Sequence, residues 1–167
     1  VYKRQHQIWP GACGSRSFEG DRLRERQRQL PQQFSNMSVL STLGIRPGGG
    51  CHFLAEGYAA MAGQLFPLVN QYNYGVEPKT SITPPNILSA SFVGGRKDEI
   101  KLVFDQDVKW EEEIIERFYL DDSLAKVTAV GGSGKTITLK LAGPSIAKNL
   151  SYVRGGKWRQ ELSLIHI

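Results

Sequence analysis

The sequence predicts an α/β first part followed by an all-β second part. From residue 6 to 75 the order is helix, strand, loop and helix, which is typical of the last units of a parallel α/β sheet. From 87 to 161, short alternating runs separated by glycine-rich turns indicate an antiparallel β-sandwich. Residues 76–86 carry three prolines among polar residues, as a linker would, so we expect a domain boundary there.

The first part is expected to contain a strand end, a charged helix, a short strand and an apolar helix. Residues 6–9 read as a strand end, and Asp21 is expected to cap a helix over 22–30 that Pro31 ends. Residues 36–42 form a short strand candidate. Apolar residues at helical spacing then predict a helix with one stripe packed on a sheet: Leu54, Tyr58, Met61, Leu65, Phe66 and Val69.

The second part contains six strand candidates, at 87–93, 99–104, 114–120, 124–130, 136–141 and 147–153. Turns are expected at Gly94-Gly95 and at 131–134. The run Gly131-Gly132-Ser133-Gly134-Lys135-Thr136 resembles a phosphate-binding loop. The first glycine of that motif would fall on Ala129, and the run joins two strand candidates, so a hairpin turn is predicted instead.

Composition argues against two classes of partner. The formal net charge of +5 is not clustered, so no nucleic-acid partner is predicted. The charged residues from Arg22 to Arg28 are interpreted as the solvated outer face of a helix. No apolar run approaches the roughly 20 residues that cross a bilayer, so no membrane association is predicted.

Two cysteines, Cys13 and Cys51, are too few for a zinc site. Both lie beside glycine-rich loops, and the sequence leaves open whether they form one disulfide or remain free thiols.

The two ends of the chain resemble translated sequencing-adapter read-through. Residues 1–5 and 162–167 are therefore expected not to be native and are left out of fold reasoning. The remainder is expected to be an interior piece of a longer metagenomic gene.

His52 is the candidate catalytic residue. It follows a glycine-rich loop, 44–50, which leaves the carboxyl end of a predicted strand and leads into a predicted helix. Ligands of open α/β sheets bind at that edge. A neutral imidazole placed there can take a proton from a serine hydroxyl.

Several blocks of the chain resemble the sialate O-acetylesterase group of the SGNH hydrolases. They are Gln7-Ile8-Trp9-Pro10-Gly11, Asp21-Arg22-Leu23-Arg24-Glu25, Phe34-Ser35-Asn36-Met37-Ser38-Val39, Gly50-Cys51-His52-Phe53 and Glu56-Gly57-Tyr58. The resemblance covers residues 6–75. The β-rich part, with Ser151-Tyr152-Val153-Arg154-Gly155-Gly156-Lys157-Trp158, is similar to the domain that follows in bacterial members.

This resemblance implies the C-terminal part of a flavodoxin-like SGNH hydrolase domain over 6–75, then a partial antiparallel β-sandwich domain over 87–161. It implies a serine esterase that removes acetyl groups from an acetylated carbohydrate substrate without a metal or organic cofactor. A periplasmic or extracellular bacterial location is implied as well. His52 matches the catalytic histidine of the family.

Two departures from the family bear on mechanism. The family usually places an aspartate three residues before the histidine, where Gly49 stands here, so either the triad is a dyad or another carboxylate serves. The nucleophilic serine block and the oxyanion donors lie upstream in the family, and this sequence contains no such segment. Since one oxyanion donor is worth roughly 10²–10³ in rate, the fragment alone is expected to be inactive.

Two other classes of function stay open. A non-catalytic carbohydrate-binding protein with a degenerate hydrolase domain is favoured by Gly49, and Trp110, Tyr119 or Trp158 would then be the sugar platform. A nucleic-acid binder would depend on the Arg22–Arg28 helix alone. The oligomeric state is not predicted, but a truncated sandwich should leave an unpaired strand edge and be poorly soluble.

Overall fold

The computed structural model describes residues 1–9, 18–43, 45, 48–49, 52–109, 117–121 and 123–152. Over these residues the protein is a mixed α/β chain with two helices, and most of its strands form antiparallel sheets. The chain divides between Pro84 and Pro85 into two compact units, here called unit 1 and unit 2. The division falls inside the 76–86 segment.

Unit 1 begins with two parallel strands joined by a helix. Strand β1 (Lys3–His6) pairs in parallel with β2 (Met37–Leu40), and α1 (Phe18–Gln33) lies between them in the chain. Two short antiparallel strands, β3 (Gly48–Gly49) and β4 (His52–Phe53), follow, and then the long helix α2 (Ala55–Tyr74). The predicted order of helix, strand and helix is found after β1, but the short strands β3 and β4 were not predicted.

Buried residues of unit 1 occur in β2 and in α2. Val39 and Leu40 of β2 are buried, and Leu68 of α2 is fully buried. The guanidinium of Arg4 in β1 donates to the carbonyl of Leu68 at 3.5 Å and to Oδ1 of Asn73 at 2.6 Å. Three of the four residues of β1, Lys3 to Gln5, belong to the 1–5 segment that was expected not to be native. The foreign origin of that segment stays a prediction.

Helix α1 is longer than predicted at both ends. It was expected over 22–30, with Asp21 as its cap and Pro31 as its stop, but both residues lie inside it. Asp21 instead forms an ion pair with Arg24 at 3.5 Å. Pro31 lies in the last turn, where the missing N–H removes a single bond, and Phe34 N–H still bonds to the carbonyl of Leu30 at 3.0 Å.

Helix α2 confirms a predicted helix, and the predicted apolar stripe is packed only in part, since Met61, Leu65 and Val69 are half-buried. The predicted core residues Leu54, Tyr58 and Phe66 are 51%, 49% and 63% exposed. Gly57 and Leu68 are the buried residues of α2. Apolar residues cover more than one side of this helix, so helical spacing alone did not identify the packed side.

Unit 2, in the residues described, is built of antiparallel strands. They are β5 (Ile87–Phe92), β6 (Glu99–Phe104), β7 (Phe118–Leu120), β8 (Ser123–Leu124), β9 (Val127–Ser133), β10 (Thr136–Leu141) and β11 (Leu150–Tyr152). One sheet has the order β5-β6-β10-β9 and the other the order β11-β7-β8.

The strand predictions for unit 2 were close in part, and β11 begins at Leu150 where a strand from residue 147 was predicted. Strands β6 and β10 have the predicted bounds, whereas the predicted 124–130 strand is two strands, since β8 ends at Leu124 and β9 begins at Val127. Residues 114–116 and Val153, at the ends of two other predicted strands, lie outside the described residues.

One hydrophobic core is shared by the two sheets of unit 2. Its buried members are Ile100, Leu102, Phe118, Ala125, Ile137, Leu139 and Leu141. Alternation along β6 and β10 places their members on one face, because successive side chains of a strand point to opposite sides. The rings of Phe118 and Tyr152, on adjacent strands of the three-stranded sheet, lie 4.8 Å apart.

The glycine-rich 131–136 segment contains a hairpin turn, as predicted, but the turn is formed by Gly134 and Lys135, and residues 131–133 belong to β9. Strands β9 and β10 pair antiparallel up to Ser133 and Thr136, on either side of Gly134 and Lys135. Gly134 has a φ of 55°, a left-handed conformation that glycine adopts without strain. The carbonyl of Gly134 accepts the Val108 N–H at 2.9 Å, so the turn is integrated into unit 2.

Within the residues that the structure describes, neither helix is long and apolar enough to cross a membrane.

Candidate functional site

The carboxyl ends of β1 and β2 lie at one edge of the parallel pair, and polar contacts fix the chain there. Ile8 N–H donates to Oε1 of Gln27 at 2.9 Å, and Nε2 of Gln7 donates to the carbonyl of Arg24 at 2.9 Å. The hydroxyl of Thr42, which follows β2 and is 2% exposed, donates to the carbonyl of Ile8 at 3.3 Å. Helix α1 and the exit of β2 together hold the segment that leaves β1.

His52 lies in β4, between the chain that leaves β2 and the start of α2, and it is exposed. Its neighbour Phe53 is half-buried and packs against Trp9, with ring centroids 5.3 Å apart. Phe53 also meets the edge of the Tyr58 ring at 6.1 Å. Because Trp9 follows β1, the Phe53 contact holds β4 at the carboxyl edge of the strand pair. Successive side chains of a strand point to opposite faces, so packing of Phe53 leaves His52 toward solvent.

Gly49 is directly opposite His52 across the β3–β4 pair. Residues in such positions have Cβ atoms about 4.5–5.5 Å apart when both carry a side chain. The residue three positions before His52 is therefore also the cross-strand neighbour of its imidazole. Among the described residues, the His52 side chain forms no hydrogen bond or ion pair.

His6 is a second histidine of this edge, and sequence reasoning missed it. It is the last residue of β1, is half-buried, and its Nε2 is buried without a hydrogen-bond partner in the described part of the chain. Burial lowers the pKa of His6, and a backbone hydrogen bond with Met61 of α2 opposes that shift. The sequence of β1, Lys-Arg-Gln-His, has no apolar alternation that would predict this burial, and residues 1–5 had been interpreted as foreign.

Unit 1 should lose stability in mild acid because of His6. Its lowered pKa means that the unfolded chain binds a proton more readily than the folded chain. The contribution of the neutral imidazole is complete above the ordinary histidine pKa of about 6.5 and is lost as the pH falls below it. The measurement is the urea midpoint of unfolding at about pH 7.5 and pH 5.5, in the wild type and in His6→Gln. We expect a smaller decrease in the variant; equal decreases would contradict this account.

The charged residues of α1 are engaged with one another. Arg28 donates to both carboxylate oxygens of Glu25, at 2.7 and 2.6 Å. Burial alone would raise the pKa of Glu25, but hydrogen bonds from Arg28 and Gln29 hold it below its ordinary value. The side chain of Arg24 is only 12% exposed, and burial lowers its pKa despite the adjacent Asp21. Arg24 is therefore not part of a solvated outer face, contrary to the prediction.

Of the three residues named for a sugar platform, Tyr119 is the one that the structure describes. Tyr119 is 8% exposed, so it presents no platform for a sugar. Trp110, Trp158 and both cysteines, Cys13 and Cys51, lie outside the described residues.

A shallow cleft of about 220 Å³ does occur in unit 2, between Leu120, Lys126 and residues 141–145. It contains none of the predicted site residues. In the part of the chain that is described, no three His, Cys, Asp or Glu side chains are grouped to hold a metal ion.

Comparison with protein-family models found no matching family, and comparison with curated proteins found no matching protein. The residue blocks of the sequence and the geometry around His52 therefore carry what indicates the function of this chain.

Proposed function

We propose that this chain carries the general-base segment of a carbohydrate O-acetylesterase. In that reaction a serine hydroxyl attacks the acetyl carbonyl, and His52 accepts the hydroxyl proton and returns it to the departing sugar oxygen. Water, deprotonated by the same imidazole, then releases acetate from the serine. The observation that carries the proposal is the exposed imidazole of His52 at the carboxyl edge of the β1–β2 pair.

Accessibility distinguishes His52 from the other histidine of the edge. A general base has to come within hydrogen-bond reach of the hydroxyl that it deprotonates. The exposed ring of His52 can be approached by a substrate and a nucleophile, whereas Nε2 of His6 is buried. Contacts of Phe53 with Trp9 and Tyr58 hold the backbone beside His52, which limits the freedom of the base before substrate arrives.

The fold supports the proposal of a hydrolase domain followed by a partial β-sandwich. The unit β1-α1-β2 is a parallel strand-helix-strand unit, as expected in the last part of a flavodoxin-like domain. The two antiparallel sheets of unit 2 share one core, as expected for a partial β-sandwich. In this assignment the serine and the oxyanion donors belong to preceding sequence, and the enzyme acts in the periplasm or outside the cell.

Gly49 favours a dyad. A carboxylate at that position would stand beside the imidazole and stabilise its protonated form, and glycine provides none. His52 would then act without a cross-strand carboxylate, at a lower rate than a complete triad would give.

The test is acetate release from O-acetylated sugars by the protein encoded by the complete reading frame. We expect the longer protein to release acetate and to be labelled at a serine by a fluorophosphonate, and the 167-residue chain alone to do neither. A reading frame that supplies no serine block, with no acetate release from its product, would refute the proposal.

A second candidate is a carbohydrate-binding protein with a degenerate hydrolase domain, and Gly49 is the observation that favours it. This candidate predicts that the 167-residue chain binds acetylated sugars and that His52→Ala leaves the affinity unchanged. Burial of Tyr119 removes one of the three platforms first considered for it.

A further inference from the structure

Strand β5 is an edge strand without charge. Among the described residues, β6 is its one partner, and its sequence is Ile-Leu-Ser-Ala-Ser-Phe. Natural edge strands usually carry charges or proline that prevent pairing with another chain. Strand β5 carries neither, and its Leu88 is 63% exposed.

The regular part of β5 begins after an irregularity. The pairing with β6 shifts between Ile87 and Ser89, and from Ser89 to Phe92 the residues pair one to one with Val103 to Ile100. Val93 N–H continues the ladder, because it donates to the carbonyl of Glu99 at 2.8 Å. The regular edge therefore runs from residue 89 to residue 93.

The free backbone groups of this edge belong to Ala90 and Phe92. Backbone N–H and C=O groups of one strand residue point to the same neighbour, and successive residues alternate between neighbours. Since Val93 N–H points to β6, so do those of Ser91 and Ser89, and the groups of Ala90 and Phe92 point away from β6.

The free backbone groups of β5 can pair with the same groups of a second copy of β5. If two copies meet antiparallel with Ser91 opposite Ser91, Ala90 of each copy is opposite Phe92 of the other. The free groups of these residues then form four hydrogen bonds. Ala90 and Phe92 lie on the core side of the sheet, opposite buried Leu102 and Ile100, so a small side chain meets a large one on that side. On the outer side Ser89 meets Val93, which is 40% exposed.

We propose that β5 pairs with β5 of a second copy of this chain around a two-fold axis at Ser91. The four-stranded sheets of two copies then form one continuous sheet of eight strands. Residues 89–93 contain no charge, so no like charges face each other across the pair. The other edge strand of the sheet, β9, contains Gly131 and Gly132, which weaken strand pairing.

Site-directed cross-linking tests the register. In a Cys13→Ser, Cys51→Ser background, Ser91→Cys should form a disulfide-linked dimer under mild oxidation, because directly opposite Cβ atoms lie about 4.5–5.5 Å apart. Ser89→Cys on the same strand is the matched control, since its two-fold mate would be opposite Val93 and out of reach. Equal cross-linking at 89 and 91, or none at 91, would overturn the proposal.

Sedimentation of the chain with its native cysteines reduced tests the association itself. A monomer–dimer equilibrium is expected, and it should strengthen with salt from about 0.05 to 0.5 M because each copy carries a formal net charge of +5. Ser91→Glu should weaken dimerisation at least tenfold, since two carboxylates would meet at the axis. The fold should be kept, because Lys101 lies opposite residue 91 within each copy. A monomer at every concentration, or an unchanged dimer in Ser91→Glu, would contradict the proposal.

Discussion

Replacement of His52 by alanine should reduce acetate release by the longer protein about 10²–10⁴-fold, the usual contribution of a general base. The serine hydroxyl would lose the group that accepts its proton, and the departing sugar oxygen would lose its proton donor. The structure places His52 on the exposed side of β4, so its removal should leave the packing of Phe53 against Trp9 intact. The fall should appear in kcat more than in KM, measured as acetate released from an O-acetylated sugar.

Two further variants make this result specific. His6→Gln changes the buried histidine of the same edge and should keep most of the activity at neutral pH. Gly49→Asp should increase turnover, because it supplies a carboxylate directly opposite His52. Unchanged turnover in His52→Ala would exclude His52 as the base.

Leu139→Ala should destabilise unit 2 by about 2–5 kcal/mol, the usual cost of a leucine-to-alanine cavity in a core. Leu139 is fully buried at the middle of β10, opposite Ile100 on one neighbouring strand and Val130 on the other. Both sheets contribute to the core that surrounds it, so neither can close the cavity by moving alone. The measurement is the free energy of unfolding from urea titration.

Lys140→Ala is the matched control for that measurement. Lys140 is the next residue of the same strand, and its side chain is exposed on the opposite face. Its replacement should change the free energy of unfolding by less than about 0.5 kcal/mol. Equal losses in the two variants would contradict the assignment of Leu139 to the core.

The strands of unit 2 were the most predictable part of the fold. In β6 and β10 apolar residues alternate with polar ones, and that pattern occurs when one face of a sheet is buried and the other is wet. The break between β8 and β9 was not predictable, because the apolar residues continue through Ala125 and Val127. Periodicity reports the faces of a strand but not a change of partner.

The helices show where local signals fail. Proline ended α1 in the prediction, yet Pro31 is tolerated near the end of the helix. In α2 the apolar residues spread around the axis, and the carbonyl of the buried Leu68 accepts a hydrogen bond from Arg4, which is distant in sequence. The side of α2 that is buried therefore depends on contacts with residues distant in sequence.

The sequence predicted which residue is the candidate base, but it did not predict the contacts around that residue. A histidine after a strand and just before a helix identified His52. The pairing of Gly49 with His52 and the contact of Phe53 with Trp9 join residues across loops, and spacing in the sequence does not contain that information. His6 was missed because the start of its strand had been interpreted as foreign sequence.

The accessibility of the His52 imidazole can be measured directly on the 167-residue chain. At about pH 8, where imidazoles of ordinary pKa are neutral, diethyl pyrocarbonate modifies them according to their exposure, and mass spectrometry of the peptides gives a rate for each histidine. The proposal predicts fast modification at His52 and slow modification at His6. A rate at His52 as slow as that at His6 would show that no substrate could reach the proposed base.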